Sequence, residues 1–431
     1  MFEKLNNMKF KGDAIIWMVF FFLCIISILE VYSASSSLTY KAGSYWKPVV
    51  YHTFLLIIGV GFMIVTMNIK CKYFKIVTPF ALLLSIIMLI WVLFMARIND
   101  AARWISIFGI QFQPSELAKG AVVLAEAQIL SAMQTIDGAD RRAFKYIWIV
   151  SLPIIFLIAM ENLSTAALLF LTVLIMMFIG RVPKVQLGRT LGVLALIGVF
   201  AVAMVWMIGD EKDTEQKQDD KMVLAEEAAE TKADPNVFSK AYDKVFHRAS
   251  VWKVRIMDFF DSRKIPPEEV DLEGKGAQKA HASIAIATSN VVGKGPGNSV
   301  ERDFLSQAFS DFIYAIIIEE MGIWGAAGVC LLYIILLFRT ATIANRCANA
   351  FPALLIMGFA LLLVTQAMFN MCVAVGLAPV TGQPLPLISK GGTSTIVNCV
   401  YIGVILSVSY TAKKKDDITE KAGLRKAKVT A

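Results

Sequence analysis

The stretch GKGPGNSVERDFLSQAFSDFIYAIIIEE, Gly293 to Glu320, begins as a glycine-rich polar loop and ends inside a hydrophobic helix. One acid, Asp311, lies where the two meet, and Glu319 and Glu320 follow an apolar run that reads as membrane-embedded. Because a carboxylate in or beside a bilayer is costly, each of these acids is a functional candidate. Asp311 is alternatively a helix cap, since Ser310-Asp311 before an apolar run is also a helix start signal.

The composition around this stretch predicts an all-α polytopic membrane protein. Of 431 residues, 57% are hydrophobic and 18% charged, with a mean hydropathy of +0.63. Apolar runs close to the roughly 20 residues that cross a bilayer recur along the chain. We predict ten transmembrane helices, the first an anchor too long for a removed signal peptide, at about 14–33, 49–68, 74–96, 114–133, 145–160, 163–180, 188–208, 311–338, 352–375 and 393–411.

The positions of the basic residues predict that both termini are cytoplasmic. The short outside loops would then hold only Lys41, Lys47, Arg97, Arg103 and Lys390, while most other basic residues that flank spans fall inside. The net charge of +8 is therefore topological and does not indicate nucleic acid. We predict one membrane domain over 1–431, with a cytoplasmic N-terminus at 1–13, a large extracytoplasmic loop at 209–310 between the seventh and eighth helices, and a cytoplasmic basic tail at 412–431.

Cysteine and histidine usage excludes two common kinds of site. The six cysteines lie in spans or at their cytoplasmic ends without metal-ligand spacing, which favours apolar packing over disulfides. The three histidines are scattered along the chain, so a zinc site is not expected.

Two outward-facing segments carry unusual polar residues. In NDAARWISIFGIQFQPSELAK, Asn99 to Lys119, Arg103 suits an interfacial anchor, and Glu116, Lys119 and Glu126 fall within about 80° on one helix. That stripe is either a structural ion pair or part of a cavity for a charged headgroup. In the second segment, 241–261 has the pattern of an amphipathic surface helix that includes Arg255, and an alternative role for it is contact with a lipid-linked substrate.

The third polar segment is NMCVAVGLAPVTGQPLPLISKGGTS, Asn370 to Ser394. Its proline and glycine spacing forbids a regular helix, so we predict a structured loop packed on protein. Lys390-Gly391-Gly392 could offer a cation and bare backbone to an anion, whereas the loop GKGPGNS is only a weak match to a phosphate cradle. Because all three segments face outward, the sequence predicts a site that opens at the outer leaflet.

Four pieces of the chain resemble the SEDS family (shape, elongation, division and sporulation), nearer to its division members than to its elongation members. They are RWISIFGIQFQPSELAK, ENLSTAALLFLTVLIMMFIGRV, GKGPGNS followed by FLSQAFSDFIYAIIIEEMG, and GLAPVTGQPLPLISKGGTS, and they stand in family order across most of the chain. The chain departs from the family motif just before Asp311, and it has Lys390 where the family usually has tyrosine.

The resemblance implies a peptidoglycan glycosyltransferase that polymerises lipid II with a class B penicillin-binding protein, alongside other division or elongation proteins, in the cytoplasmic membrane. It implies that Asp311 is the catalytic acid and Asp303 a second acid of the same loop, and it carries over the motif pair Glu116 and Lys119. Candidate diphosphate partners are Arg103, Lys119, Arg255 and Lys390. A divalent cation, Mg²⁺ or Mn²⁺, near Asp303 and Asp311 could share that task.

Two other functions remain open on the sequence. A flippase that moves lipid II between leaflets would suit the intramembrane acids, although the chain halves show no repeat. A non-catalytic division scaffold would recruit partners through its tails and loops. Asp311 separates these functions, because neither a scaffold nor a flippase has an obvious use for a base at the outer surface.

Overall fold

The structure is a computed structural model that describes residues 11–34, 46–94, 105–107, 110–207, 277–305 and 308–430. The chain divides into two compact units, Met1–Pro183 with Ile265–Ala431, and Lys184–Lys264. Within the second unit the structure describes one helix, Lys184–Met207. Arg103, Arg255 and the amphipathic segment 241–261 lie outside the described residues.

Ten long helices coincide with the ten predicted spans in the described part of the chain. In chain order they are α1 Ala14–Ala34, α2 Lys47–Asn68, α3 Cys71–Leu93, α4 Pro114–Ala132, α5 Arg141–Glu161, α6 Leu163–Ile179, α7 Lys184–Met207, α9 Ile313–Arg346, α10 Ala350–Ala374 and α11 Thr393–Thr430. Between α7 and α9 lie a shorter helix, α8 Ala277–Thr288, and a 3₁₀ turn, Glu301–Asp303. The predicted all-α membrane class is confirmed, and the count of ten spans stays a prediction.

Two small hairpins interrupt the helices. Strand β1, Ile105–Ile107, pairs antiparallel with β2, Ile110–Phe112, and β3, Gln134–Thr135, pairs with β4, Gly138–Ala139. The first of these regions was expected to be a polar loop. Its strands consist largely of β-branched and aromatic residues, which favour extended backbone.

Seven described helices are long and apolar enough to cross a membrane: α1, α2, α3, α5, α9, α10 and the first part of α11, Thr393–Ala412. Their outward faces are apolar, as Phe80 on α3 at 69% exposed illustrates. Such side chains would be unfavourable in water and are suited to lipid.

The weak hydropathy of α4 follows from its surroundings. This helix packs against α3, α5, α6 and α10, and most of its residues are buried by protein. Small residues permit close approach: the Cα of Gly120 faces the ring of Tyr401, and Gly358 lies against Val123 and Met176. A helix surrounded by protein can carry polar groups that a lipid-facing helix could not.

Helix α9 breaks at Gly322, where φ is +66° and ψ is −167°. A Cβ there would lie 2.3 Å from the carbonyl oxygen of Val291, and a Cβ at Gly293 would lie 2.3 Å from that of Glu320. Only glycine fits either position, because the two backbones touch and the conformation is left-handed.

The break frees helix carbonyls that the glycine-rich loop then satisfies. The N–H of Lys294 donates to the carbonyl of Glu319 at 2.9 Å, and the N–H of Gly295 to the carbonyl of Glu320 at 2.8 Å. Irregular backbone at membrane depth needs such partners. The part of α9 before the break, Ile313–Glu320, is buried by protein along its length.

Candidate active site

Asp311 lies in the turn that leads into α9. Its side chain is partly buried, and Oδ1 accepts a hydrogen bond from the Ser310 hydroxyl at 3.0 Å. The cap residue of α9 is Phe312, and no side chain caps that end of the helix. The geometry therefore does not support the helix-cap interpretation of Asp311.

Three consecutive carbonyls around Asp311 accept hydrogen bonds from one region of the chain. The carbonyl of Phe309 accepts from the N–H of Lys390 at 3.0 Å, and that of Ser310 from the Ser389 hydroxyl at 2.6 Å. The carbonyl of Asp311 accepts from Nδ2 of Asn370 at 2.9 Å. The backbone that carries the acid is thus tied to the end of α10 and to the loop at 375–392.

The loop at 375–392 is irregular, and side chains from several helices satisfy its backbone. Ser27 on α1 donates to the carbonyl of Ile388 at 2.8 Å, Tyr333 on α9 donates to that of Pro386, and Nε2 of Gln366 on α10 donates to that of Pro384 at 3.0 Å. Leu387, with φ at +67°, holds a left-handed conformation while its side chain is buried. Such strain persists only where the surroundings over-determine the backbone.

Lys390 brings a positive charge to the same region. Its Nζ lies 5.1 Å from the centroid of the Phe309 ring, a cation–π contact two residues before Asp311. The side chain is partly buried, and burial lowers the pKa of Lys390 below its ordinary value. The loop therefore presents a cation whose desolvation strengthens its attraction for an anion.

Glu116 and Lys119 form a buried pair on α4. Oε1 of Glu116 lies 2.8 Å from Nζ of Lys119, each side chain is 2% exposed, and Nζ also donates to Oε1 of Gln366 at 2.7 Å. Neither group is open to a substrate in this structure, so the geometry fits the structural-ion-pair alternative. Direct contact of either residue with a diphosphate stays a prediction. Glu126, in the same stripe, is also buried, and its carboxylate has no hydrogen-bond partner among the described residues.

Asp303 is exposed at the end of the 3₁₀ turn. His281 on α8 fixes this turn, because its Nδ1 lies 2.7 Å from Oε2 of Glu301 and its ring stacks on Phe304 with centroids 5.3 Å apart. Across the residues that the structure covers, no group of three or more His, Cys, Asp or Glu side chains is arranged for a metal. A divalent ion at Asp303 and Asp311 would thus rely on substrate oxygens and water, as Mg²⁺ commonly does.

Glu320, at the break in α9, binds the glycine-rich loop. Its Oε2 accepts from the N–H of Gly297 at 2.8 Å, and Oε1 accepts from the N–H of Ser299 at 3.2 Å and from the Ser33 hydroxyl of α1. Each of these contacts places an N–H or O–H donor against a carboxylate oxygen of Glu320.

Glu319 binds the same loop from the other side. Its carboxylate lies 2.5 Å from Nζ of Lys294 and accepts from the Ser299 hydroxyl and from the N–H of Val300 at 3.1 Å. Together Glu319 and Glu320 accept hydrogen bonds from loop amides that a phosphate would need. The loop therefore stabilises the break in α9 and does not form a phosphate cradle. The flippase alternative placed these acids on a polar path, whereas here they stabilise a turn.

A family profile for FtsW, RodA and SpoVE, described as "Cell cycle protein", matches residues 13–414. The chain belongs to this family. It is the SEDS family that the four motif segments predict, and membership makes the chain a multi-pass protein of the bacterial cytoplasmic membrane.

The curated relatives described next match between 81% and 97% of the chain. A "Probable peptidoglycan glycosyltransferase FtsW" of Enterococcus hirae is 27% identical over 97% of this chain and 98% of its own length. A protein of the same name from Geobacter sp. (strain M18) is 29% identical over 92% and 96%. The "Peptidoglycan glycosyltransferase MrdB" of Escherichia coli (strain K12) is 26% identical over 81% and 82%. The FtsW relatives agree with the predicted nearness to the division members.

Solved structures share the SEDS fold. A chain from work described as "Structural coordination of polymerization and crosslinking by a peptidoglycan synthase complex" superposes with a TM-score of 0.63 at 23% identity, covering 93% of this chain and 98% of that one. The rod shape determining protein RodA of Thermus thermophilus superposes with a TM-score of 0.59 at 21% identity, covering 94% and 98%.

Sequence reasoning missed the residues that hold this SEDS site together. Asn370 and Ser389 were treated only as parts of a loop, and Gln366 was not singled out. One signal was present: Gln366 and Asn370 stand four residues apart, on one face of an otherwise apolar helix. An amide pair at that spacing in a buried helix indicates a polar partner.

Proposed function

We propose that this chain polymerises lipid II into glycan strands at the outer face of the cytoplasmic membrane. The chain is a peptidoglycan glycosyltransferase of the division or elongation machinery, and Asp311 is its general base. The observation that carries the assignment to a site is that the N–H of Lys390 donates to the carbonyl of Phe309, two residues before Asp311, which places an acid and a cation on two hydrogen-bonded segments. The names of the curated relatives support the reaction class.

The reaction joins two sugars with loss of a lipid diphosphate. The 4-hydroxyl of the acceptor sugar attacks the anomeric carbon of the donor, a carbon–oxygen bond forms, and the bond from that carbon to the diphosphate breaks. The Asp311 carboxylate takes the hydroxyl proton as the new bond forms, which requires it to lie within hydrogen-bond reach of that hydroxyl. The partial burial of Asp311 in the turn before α9 favours its role as a general base.

The departing diphosphate needs positive charge. Lys390 is the described cation that lies beside the Asp311 segment, and a partly desolvated ammonium stabilises developing negative charge more than a hydrated one. Arg103 and Arg255 are further predicted partners, and Lys119 would act through Gln366 on the same loop. A divalent cation at Asp303 and Asp311, when bound, would supply additional charge to the diphosphate.

Polymerisation would be coupled to cross-linking by a partner. We assign a class B penicillin-binding protein as the transpeptidase, with other division or elongation proteins and membrane lipids around it. The solved chain from a peptidoglycan synthase complex, in which polymerization and crosslinking are coordinated, supports this choice.

The break in α9 is the feature that favours transport, because discontinuous helices are common in transporters. Here the freed carbonyls accept from Lys294 and Gly295, and the acids beside them bind loop amides. A polar path would need those groups to be accessible. We therefore keep the flippase only as an outcome of the test.

The test measures glycan-strand formation from purified lipid II by the wild-type chain and by Asp311→Asn, each in complex with its penicillin-binding partner and with the transpeptidase blocked by a β-lactam. We expect polymer from the wild type and a loss of at least about 100-fold in the folded variant, as for removal of a general base. Equal polymer from both would overturn Asp311 as the base. No polymer from either, with protein-dependent movement of lipid II across vesicles, would favour the flippase.

A further inference from the structure

Asp311 is held by a set of hydrogen bonds that the proposed reaction does not itself require. The carbonyls of Phe309, Ser310 and Asp311 each accept from a different donor: the N–H of Lys390, the hydroxyl of Ser389 and the side-chain amide of Asn370. We name these three hydrogen bonds the carbonyl clamp. These three carbonyls precede the helix and have no intrahelical partner, so three donors from the same region of the chain restrain this segment together.

The donor hydrogens of both clamp side chains are fully used, while Oδ1 of Asn370 has no hydrogen-bond partner in the described structure. Nδ2 of Asn370 donates one hydrogen to the carbonyl of Asp311 and the other to the carbonyl of Gln383 at 2.7 Å. The hydroxyl of Ser389 donates to Ser310 and accepts from the N–H of Leu385 at 2.8 Å. Asn370 is 1% and Ser389 3% exposed, so water cannot replace either donor without rearrangement.

Hydrogen bonds also connect the loop that supplies the clamp to two other helices, α6 and α1. Nε2 of Gln383 donates to Oγ1 of Thr165 on α6 at 2.8 Å, and the carbonyl of Ile388 accepts from Ser27 on α1. The position of the Asp311 backbone is therefore fixed relative to several packed helices. A base fixed in this way keeps its distance from the reacting hydroxyl and from Lys390.

We infer that Asn370 and Ser389 are positioning residues of the glycosyl transfer, acting through the backbone of Asp311. The inference rests on the proposed function, because it concerns how the base of that reaction is placed. A misplacement of about 1 Å at a catalytic group costs on the order of 100-fold in rate. Loss of a clamp donor should thus lower kcat while leaving the binding of lipid II, and hence KM, nearly unchanged.

The test compares Ser389→Ala and Asn370→Ala with two matched controls outside the clamp. Ser85→Ala removes a buried hydroxyl of α3 that bonds its own helix, and Asn398→Ala removes a buried amide of α11. All four are measured as the complex with the penicillin-binding partner, on lipid II, with rates normalised to folded protein by thermal unfolding. We expect kcat to fall at least about tenfold in each clamp variant with KM within about threefold of wild type, and both controls to keep the wild-type kcat.

Ser389→Ala decides the matter if Asn370→Ala does not fold, because it removes a single oxygen. A folded Ser389→Ala with wild-type kcat would overturn the inference, as would a loss that appears in KM alone or that Ser85→Ala shares. Absence of polymer from the wild-type complex would instead overturn the proposed function, and the clamp inference with it. The wild-type measurement thus separates the two failures.

Discussion

At the scale of single residues, the charge of Lys390 has a pH dependence that can be measured. Burial lowers the pKa of this lysine, so it loses its proton at a lower pH than an exposed lysine does. If the charged form stabilises the departing diphosphate, the rate of polymerisation falls on the alkaline side as the pH rises through that lowered pKa. The pH profile of kcat measures the effect.

Variants of Lys390 provide the control for this profile. Lys390→Arg keeps the charge to higher pH and should move the alkaline fall upward, whereas Lys390→Met should lower the rate at neutral pH and remove this fall. An unchanged alkaline limb in a folded, active Lys390→Met complex would show that the lysine charge takes no part.

Two neighbouring buried acids should respond oppositely to neutralisation. Glu320 accepts from N–H and hydroxyl donors, so Glu320→Gln turns an NH₂ toward one of them and should cost about 1–3 kcal/mol of unfolding free energy. Glu30 has a buried carboxylate oxygen without a hydrogen-bond partner in the described structure. Glu30→Gln should be neutral or stabilising. Thermal unfolding of the two variants tests this, and equal losses would contradict it.

At the scale of elements, the break in α9 depends on one glycine. A Cβ at Gly322 would meet backbone atoms of Val291, Val292 and Gly293 within 2.7 Å, and its φ of +66° disfavours other residues. We expect Gly322→Ala to lower the unfolding free energy by about 3 kcal/mol.

Gly328, in the same helix, is the matched control for that substitution. It has ordinary helical geometry and a Cβ there would enter open space, so Gly328→Ala should be neutral or stabilising by up to about 1 kcal/mol. Thermal melts of both variants in the same detergent measure the difference. Equal melting temperatures would mean that the break is not required.

The elements also show what the sequence could and could not reveal. Apolar runs located all ten long helices, seven of which have the length and hydropathy that lipid requires of a span. The break at Gly322 was not predicted, because in the sequence Gly322 does not differ from Gly325 and Gly328 of the same predicted span. The burial of Lys119 and the clamp on Asp311 both depend on residues that are far away in sequence, so neither was predicted. The position of Asp311 at the junction of loop and helix was predicted.

At the scale of the whole molecule, the predicted topology assigns a side of the membrane to each loop. Val292, 77% exposed after α8, should face outward, and Ile136, 100% exposed between β3 and β4, should face the cytoplasm. In a variant whose six cysteines are replaced, Val292→Cys should react with a membrane-impermeant maleimide in intact spheroplasts. Ile136→Cys should react only after permeabilisation. The reverse labelling pattern would invert the topology.

The carbonyl clamp has a consequence for how the protein is made. Asn370, Ser389 and Lys390 leave the ribosome well after Asp311, and Glu320 must find Ser33, which lies 287 residues earlier. A nascent chain that has already inserted most of its spans still lacks the groups that hold the backbone of Asp311. The hydrogen bonds that hold Asp311 can therefore form only near the end of translation. Truncated chains that reach the membrane would lack polymerase activity.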